Sequence, residues 1–178
     1  MTQLSAAGFV LRPFVESDAA AFAAAVREST ATVGVWMPWA SADYSESQAL
    51  AWFAMCAAAR ANGSGYEFGI FREDGVSLVG GAGLNHMNSV HALCNLGYWV
   101  RASAQRQGAA LAAIRALTPY AFGQLQLSRV EIVVAAGNAA SMAVAEKSGA
   151  THECLARNRL QLHGRAVDGH VFSIIPNS

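Results

Sequence analysis

The sequence has little charge of either sign. Only 13% of its 178 residues are charged, and twelve lysines and arginines balance twelve aspartates and glutamates. A net charge of zero provides no electrostatic footprint for nucleic acid or an anionic membrane. No apolar run is long enough to span a bilayer, and the first eight residues lack the features of a secretion signal. We therefore expect a cytoplasmic protein without nucleic-acid or membrane partners.

Cysteine is also scarce. Cys56, Cys94 and Cys154 are widely spaced and form no CxxC pair. This spacing argues against a disulfide framework and against a zinc site. We expect three buried free thiols in a reducing compartment and no bound metal.

The chain is rich in hydrophobic residues, which make up 53% of it, and many of them are alanine. That composition argues against disorder, and the length suits one domain. We expect a single domain over 1–178, with an ordered core over about 8–175. The few charges imply an apolar surface, so a homodimer is an open expectation.

Periodicity and turn signals predict eleven elements in the order β-α-α-β-β-β-α-β-α-β-β. Ser17 is the expected N-cap of the first helix, and Ser45 opens a capping box for the second. The predicted strands are 9–14, 66–72, 77–84, 92–100, 129–135, 151–162 and 166–175, and the predicted helices are 18–29, 45–61, 108–125 and 138–148. The strand–helix–strand unit in the middle requires a parallel pair, whereas the hairpins require antiparallel neighbours. The expected fold class is therefore α/β, with a mixed, twisted sheet and helices on both faces.

The most informative motif follows the predicted strand that ends in Gly97-Tyr98-Trp99-Val100. It is Gln105-Arg106-Gln107-Gly108-Ala109-Ala110, at the start of an alanine-rich helix. The first N–H groups of a helix have no intrahelical partner and lie at the positive end of the helix dipole, so they attract phosphate. The segment from Asn138 to Ser141 opens another helix further along the chain.

These motifs resemble the GNAT acetyltransferase superfamily. Residues 105–110 fit its Gln/Arg-x-x-Gly-x-Gly/Ala signature. The preceding Gly97-Tyr98-Trp99-Val100 and the later Gly137-Asn138-x-x-Ser141 and Glu146-Lys147-x-Gly149 resemble its Rim-type branch, which includes enzymes that modify N-terminal amines of ribosomal proteins. The resemblance covers nearly the whole chain. It implies acetyl-CoA as co-substrate and a direct attack on it, in a ternary complex, by the primary amine of a protein or peptide N-terminus or of a small molecule.

The resemblance also implies a set of cofactor contacts. Backbone N–H groups near Trp99 or Val100 are the expected donors to the oxyanion, because the strand ending at Val100 should splay from the one that starts at Arg129. The full set of expected cofactor-binding residues is Trp99, Val100, Gln105, Arg106, Gln107, Gly108, Ala109, Ala110, Asn138 and Ser141.

Two residues are candidates for proton transfer. Ser141 is placed to protonate the departing thiolate, although a first-turn serine also bonds locally to backbone. Glu67 is the best candidate for a base, although it also fits an ordinary outward-facing strand carboxylate. The branch often has an acidic residue where this chain has Asn95, so a base expected at that position is missing. Glu131 is a further candidate carboxylate, which would act through water.

Aromatic residues supply the expected acceptor site. We expect Trp36, Trp39, Glu67, His86 and Trp99 to bind the substrate, and His91 lies near the same loop as His86. The tryptophans equally fit a plug between helix and sheet. If they line a cleft, the acceptor carries an apolar or aromatic group or is a peptide end.

One alternative function is a module that binds CoA without chemistry, which the missing carboxylate at Asn95 favours. Another nucleotide-binding function is disfavoured, because the chain has no GxxxxGK[ST] loop and no dinucleotide fingerprint at 105–110.

Overall fold

A computed structural model describes residues 2–176 of the chain. The helices are α1 (Ala19–Glu28), α2 (Glu46–Asn62), α3 (Ala109–Gly123) and α4 (Ala139–Lys147). The strands are β1 (Leu4–Ala6), β2 (Phe9–Arg12), β3 (Tyr66–Arg72), β4 (Leu78–Asn88), β5 (Leu93–Val100), β6 (Arg129–Ala135), β7 (Thr151–Leu162) and β8 (Arg165–Ile174). The predicted order is confirmed, with one short strand, β1, added before it.

The strands form one mixed sheet in the order β1-β2-β3-β4-β5-β6-β8-β7. Neighbours are antiparallel except β5 and β6, which α3 joins as the predicted parallel pair. That parallel register covers only three residue pairs, from Leu93 and Arg129 to Asn95 and Glu131. Beyond these pairs the two strands separate, so the sheet opens in its middle.

The sheet carries a hydrophobic core on each face. On one face, α3 packs over side chains such as Leu11, Phe68 and Leu96. On the other face, α1 and α2 pack over Phe71 and Trp99. Successive strand residues point to opposite faces, so each central strand contributes to both cores. The prediction of helices on both faces is therefore confirmed.

The N-terminal region differs from prediction in two respects. The strand predicted over 9–14 ends at Arg12, because Pro13 has no N–H to donate to the ladder. Ser17 is not a helix cap: a short 3-10 turn, Glu16–Asp18, precedes α1. The carboxylate of Asp18 is held by Arg12 Nη1 at 2.8 Å and by the N–H of Val15 at 2.9 Å.

The capping box of α2 is confirmed by two reciprocal bonds. The N–H of Gln48 donates to Ser45 Oγ at 3.2 Å, and the N–H of Ser45 donates to Gln48 Oε1 at 2.8 Å.

Two other elements extend further than expected. Pro119 does not end α3, which continues to Gly123. Strand β4 runs past the predicted end at residue 84 and has a register shift between Asn85 and Asn88.

Cys56 and Cys94 are buried free thiols, as predicted, but Cys154 is exposed because it lies on the edge strand β7. Within residues 2–176, no helix combines the length and apolarity that crossing a membrane requires. The same residues contain no group of three or more histidine, cysteine or acidic side chains placed to hold a metal ion.

Candidate functional site

The gap between β5 and β6 exposes backbone groups at the centre of the sheet. The N–H of Arg101, just after β5, donates to the carbonyl of Val79 on β4 at 2.9 Å. Because backbone groups alternate along a strand, the N–H of Val100 points to the opposite edge, toward the gap. The same alternation directs the backbone of Trp99 toward β4. Of the two predicted oxyanion donors, Val100 is thus the one that faces the gap.

The start of α3 lies close to the end of β5. Gly108 is its N-cap with φ +88°, and a Cβ atom there would meet nothing within 4 Å. The first N–H groups of the helix therefore face open space without intrahelical partners. Arg106 also has a positive φ, of 61°. Ala109 and Ala110 are buried and add no long side chain at the helix end.

The two glutamines of the motif connect the loop to its surroundings. Gln107 accepts a hydrogen bond from Arg72 Nη2 and donates to the carbonyl of Ser103 at 3.2 Å. Gln105 Nε2 donates to the carbonyl of Val100 at 3.3 Å. Their side chains thus hold the loop in place, while backbone N–H groups remain the contacts available to a ligand.

The C-terminal end of α1 anchors the segment that enters this loop. Glu28 forms an ion pair with Arg101 and accepts bonds from the N–H of Ser103 at 3.0 Å and its hydroxyl at 2.8 Å. Next to it, Ser29 Oγ accepts a bond from the N–H of Ala102 at 3.0 Å. The hydrogen bond from Arg101, helped by those from Ser103, lowers the pKa of Glu28 to about 2, although partial burial acts in the opposite direction.

The start of α4 carries Ser141. Asn138 caps this helix, since its Oδ1 accepts a bond from the N–H of Ser141 at 3.1 Å. The hydroxyl of Ser141 lies 2.9 Å from that of Tyr98 on β5, and Tyr98 Oη also donates to the carbonyl of Ser141 at 3.2 Å. The serine hydroxyl thus has a tertiary partner on the strand that borders the gap. Burial raises the pKa of Tyr98.

A cavity of about 350 Å³ lies on the face of the sheet covered by α1 and α2. We call it the aromatic cavity, because eight of its fourteen lining residues are aromatic. Trp99 is fixed edge-on against Phe22, at 5.4 Å between ring centroids, and against Trp39, at 5.7 Å. Tyr98 also lines the cavity, which therefore reaches strand β5 at the residue whose hydroxyl contacts Ser141.

Glu67 lies in the wall of the aromatic cavity rather than facing solvent. Its Oε1 accepts a bond from Asn85 Nδ2 at 3.2 Å, and Asn85 Oδ1 in turn accepts one from Asn95 Nδ2 at 2.9 Å. Burial raises the pKa of the Glu67 carboxyl, against smaller opposing effects of Asn85 and Arg60. Glu67 pairs in register with Gly83, where a Cβ atom would overlap the carboxylate. The glycine thereby leaves the carboxylate room to lie across β4.

Three of the five predicted acceptor residues meet at this cavity: Trp39, Glu67 and Trp99. The expected contacts of Trp36 and His86 with it are not observed. Trp36 lies beside Gly137, with a ring carbon 3.8 Å from where a Cβ of that glycine would stand. His86 is exposed and has a φ of 50°. It lies at the bulge in β4, which turns its side chain away from the cavity that its neighbour Asn85 lines.

The remaining candidates have other surroundings. Glu131 pairs with Arg129 at 2.9 Å, and His91 is exposed. The site also contains the side chains of Tyr98 and Asn85 and uses Asn95 as a hydrogen-bond donor, and none of these roles was predicted. Tyr98 and Trp99 are consecutive in a strand, so their side chains point to opposite faces of the sheet: Trp99 lies in the core under α1 and α2, and Tyr98 packs against the core under α3. The Asn95–Asn85–Glu67 chain depends on the register of three strands, for which the sequence contained no local signal.

Residues 9–151 match the family model for the acetyltransferase (GNAT) domain. YdaF of Bacillus subtilis (strain 168), provisionally named a ribosomal N-acetyltransferase, is 35% identical over 112 residues, which are 63% of this chain and 60% of YdaF. The chain thus spans about 60% of the length of the curated relatives it matches.

Solved structures match more of the chain. A structure from Vibrio cholerae, provisionally named a ribosomal-protein-serine acetyltransferase, has a TM-score of 0.86 and 31% identity, with 98% of both chains covered. RimJ from Mycobacterium smegmatis in complex with a CoA disulfide has a TM-score of 0.87 and 25% identity, with 98% of this chain and 86% of that chain covered. The arrangement of the gap, the helix starts and the aromatic cavity is therefore built on a sheet that these proteins share.

Proposed function

Because this chain belongs to the GNAT acetyltransferase family, we propose that it transfers the acetyl group of acetyl-CoA to a primary amine. The amine attacks directly, in a ternary complex of enzyme and both substrates. The names of YdaF and the Vibrio cholerae protein support the N-terminal amine of a protein or peptide as acceptor. A small-molecule amine offers the same nucleophile.

One observation carries this proposal. The aromatic cavity reaches Tyr98, whose hydroxyl contacts Ser141 beside the gap between β5 and β6. An acceptor that enters from the α1 and α2 side and a cofactor that enters along the gap would meet at the same strand. This is the proximity that a direct transfer between two bound substrates requires.

The residues at the start of α3 fit the diphosphate of CoA. A side chain at Gly108 would fill the space in front of the helix end, and its absence leaves that space open. The N–H groups of residues 106–110 and the positive helix end favour an anion there. The free edge of β5 also offers backbone groups to the amides of a pantetheine arm, as an added strand would. Residues Gln105, Gln107 and Asn138 support this site by holding its loops in place.

Val100 is the proposed donor to the developing oxyanion. Its N–H points toward the gap and has no paired strand opposite it, since the β5–β6 register ends at Asn95. A donor already fixed in this direction stabilises negative charge on the carbonyl oxygen without reorganising in the transition state.

Glu67 is the proposed acceptor for the proton of the amine. An α-amine has a pKa of about 7.7–8.0, so most of it is protonated at neutral pH and must lose a proton before it attacks. Burial raises the pKa of Glu67, which makes its carboxylate a stronger base than an exposed one. Asn85 donates to the carboxylate and is itself held by Asn95, so the two asparagines orient it.

Ser141 is the proposed proton donor to the thiolate that leaves. Its hydroxyl gives a proton to sulfur and takes one from Tyr98, to which it is already hydrogen-bonded. The nitrogen loses its second proton after the attack, and Tyr98 regains a proton through solvent. The C–S bond breaks, the C–N bond forms, and free CoA thiol and an N-acetylated amine result.

The alternative of a CoA-binding module without chemistry depended on the missing carboxylate at Asn95. In the fold, Asn95 connects through Asn85 to the carboxylate of Glu67, so the cavity has an acidic group after all. No observation within residues 2–176 favours the binding module over the enzyme.

We propose the cytoplasm as the compartment, which the three free cysteines support. The homodimer and the absence of nucleic-acid partners stay predictions.

The experiment combines titration calorimetry with detection of free thiol. We expect the protein to bind acetyl-CoA and to release thiol only when a primary amine is added. Gly108→Glu should abolish binding, because it adds bulk and negative charge where the phosphates lie, and Gly123→Glu at the far end of α3 is the matched control. Binding without amine-dependent thiol release would overturn the transfer reaction, and retained affinity in folded Gly108→Glu would overturn the placement of CoA.

A further inference from the structure

The shape and lining of the aromatic cavity go beyond what any primary amine would need. Its volume is about 350 Å³. A cavity of about 150 Å³ is enough to hold benzene. The aromatic cavity therefore has room for a six-membered ring together with the short chain that connects it to an amine.

The rings around the cavity are held in fixed positions. Trp39 and Trp99 cross at 75°, and Trp99 and Phe22 cross at 84°. A Cβ atom on Gly81 would lie 2.7 Å from Trp99 Nε1, so the indole lies directly on the backbone of β4. Edge-to-face contacts of this kind fix ring orientation as well as adding stability. The cavity is thus preformed for an apolar group.

Glu67 is the one residue with a formal charge among those lining the cavity in the part of the chain that the structure describes. A carboxylate has about four lone-pair positions, and Asn85 occupies one of them. The nearby guanidinium of Arg60 is engaged elsewhere, because it donates to the backbone carbonyl of Glu67 at 2.7 Å and lies 4.3 Å from the ring centre of Phe68. Glu67 therefore remains available to an ammonium group.

We infer that the cavity accepts a primary amine whose neighbouring group is aromatic or bulky and apolar, and that it discriminates against acceptors with a small polar group or a carboxylate next to the amine. The ammonium group lies at Glu67 and against the surrounding ring faces, which attract cations. The apolar group fills the space between Trp39 and Trp99. A second carboxylate would lie near Glu67 without a partner, so free amino acids are poor acceptors.

This inference rests on the proposed function, since it names the acceptor of the same site. The chemistry is shared by an arylalkylamine and by a peptide whose first residue is phenylalanine or tryptophan. It differs from the serine N-terminus named for the Vibrio cholerae relative.

The test compares matched acceptors. One pair consists of two peptides that differ only in the first residue, phenylalanine or serine, and the other pair is phenylethylamine and ethanolamine. We expect kcat/KM to be roughly 10–100-fold higher for the aromatic member of each pair, the range that burial of one aromatic side chain supplies. The aromatic peptide and phenylethylamine are then compared with each other, and the one with the higher kcat/KM shows whether the acceptor is a peptide N-terminus or a small amine.

Trp39→Ala removes one wall of the cavity and should reduce this preference to a few-fold, without changing the affinity for acetyl-CoA. Val35→Ala on the same loop is the control, because Val35 is 49% exposed and does not line the cavity. Equal kcat/KM for the two members of both pairs, or an unchanged preference in Trp39→Ala, would overturn the inference.

Binding is measured in parallel by calorimetry of the two small amines in the presence of saturating CoA. Selective binding of phenylethylamine without any turnover would support the inference on the cavity and overturn the proposed transfer reaction. Equal binding of the two amines would overturn the inference while leaving the transfer reaction to its own test.

Discussion

The hydroxyl oxygens of Tyr98 and Ser141 lie 2.9 Å apart, which joins β5 to the first turn of α4 beside the opening in the sheet. The strand supplies Val100 and the wall of the aromatic cavity, and the helix supplies the proposed proton donor. This bond therefore connects the acceptor side of the molecule with the cofactor side.

If Ser141 donates the proton and Tyr98 resupplies it, removing either hydroxyl interrupts the same path. We expect Ser141→Ala and Tyr98→Phe each to lower kcat by about 10–100-fold, with little change in the affinity for acetyl-CoA. The double variant should be about as slow as the slower single variant, because residues that act as a unit are not additive. Steady-state kinetics and calorimetry measure both quantities. Ser148→Ala, at the residue that follows the same helix, is the control. Unchanged kcat in Ser141→Ala would remove Ser141 from the mechanism.

Glu67 should determine the acidic limb of the pH profile. A base acts only when ionised, so kcat/KM falls as the pH drops below the pKa of Glu67, which burial raises above its usual value of 4.5. Glu67→Gln keeps the side-chain shape but cannot accept a proton, and it should lower kcat/KM by about 100-fold and remove this limb. The exposed Glu46→Gln is the control. An identical acidic limb in wild type and Glu67→Gln would assign it to another group.

Gly83 should be required for the position of that carboxylate. A Cβ atom at 83 overlaps the Glu67 carboxylate, so we expect Gly83→Ala to reduce the free energy of unfolding by about 1–3 kcal/mol and to lower kcat/KM. In a Glu67→Ala background the overlap is gone, and the same substitution should cost less than about 1 kcal/mol. Urea denaturation measures this coupling. Gly123→Ala, which meets nothing within 4 Å, is the control, and equal costs in both backgrounds would contradict the overlap.

Glu28 should stabilise the loop before α3 in a pH-dependent way. Its pKa is lowered from 4.5 to about 2, so its contribution is fully present above about pH 4.5 and is lost as the pH falls toward 2. Glu28→Gln should lower the free energy of unfolding at pH 7 by about 1 kcal/mol, a value reduced for partial exposure of the pair. It should also weaken acetyl-CoA binding several-fold. The exposed Glu73→Gln is the control. A stability difference that stays constant from pH 7 to pH 3 would contradict the role of the charge.

The parts of the fold that follow from local chemistry were predictable. Ser45 and Asn138 cap helices through bonds that span three residues, and such short-range signals are present in the sequence itself. At the first helix, Ser17 lies inside the 3-10 turn that Asp18 stabilises through its bonds with Arg12 and Val15, so the expected Ser17 cap does not form. Strand β1 escaped prediction because three residues carry too short a pattern, and its pairing with β2 defines it.

The site was predictable only in part, because some of its features are local in the sequence and others depend on distant elements. The open helix start at Gly108 is a local feature, so its place was predicted from sequence. The bonds between Tyr98 and Ser141 and between Asn95, Asn85 and Glu67 join residues that only the register and packing of distant elements bring together. His86 shows the converse, since a single bulge in β4 was enough to turn a predicted site residue outward.

The central claim is that backbone N–H groups at the start of α3 hold the diphosphate of CoA and so direct the thioester along the gap. The most direct test is a crystal structure of the protein with CoA. The account predicts phosphate oxygens at about 3 Å from the N–H groups of residues 106–110 and the sulfur between Val100 and Ser141. A diphosphate bound elsewhere, with the end of α3 empty or closed by the protein's own side chains, would contradict it.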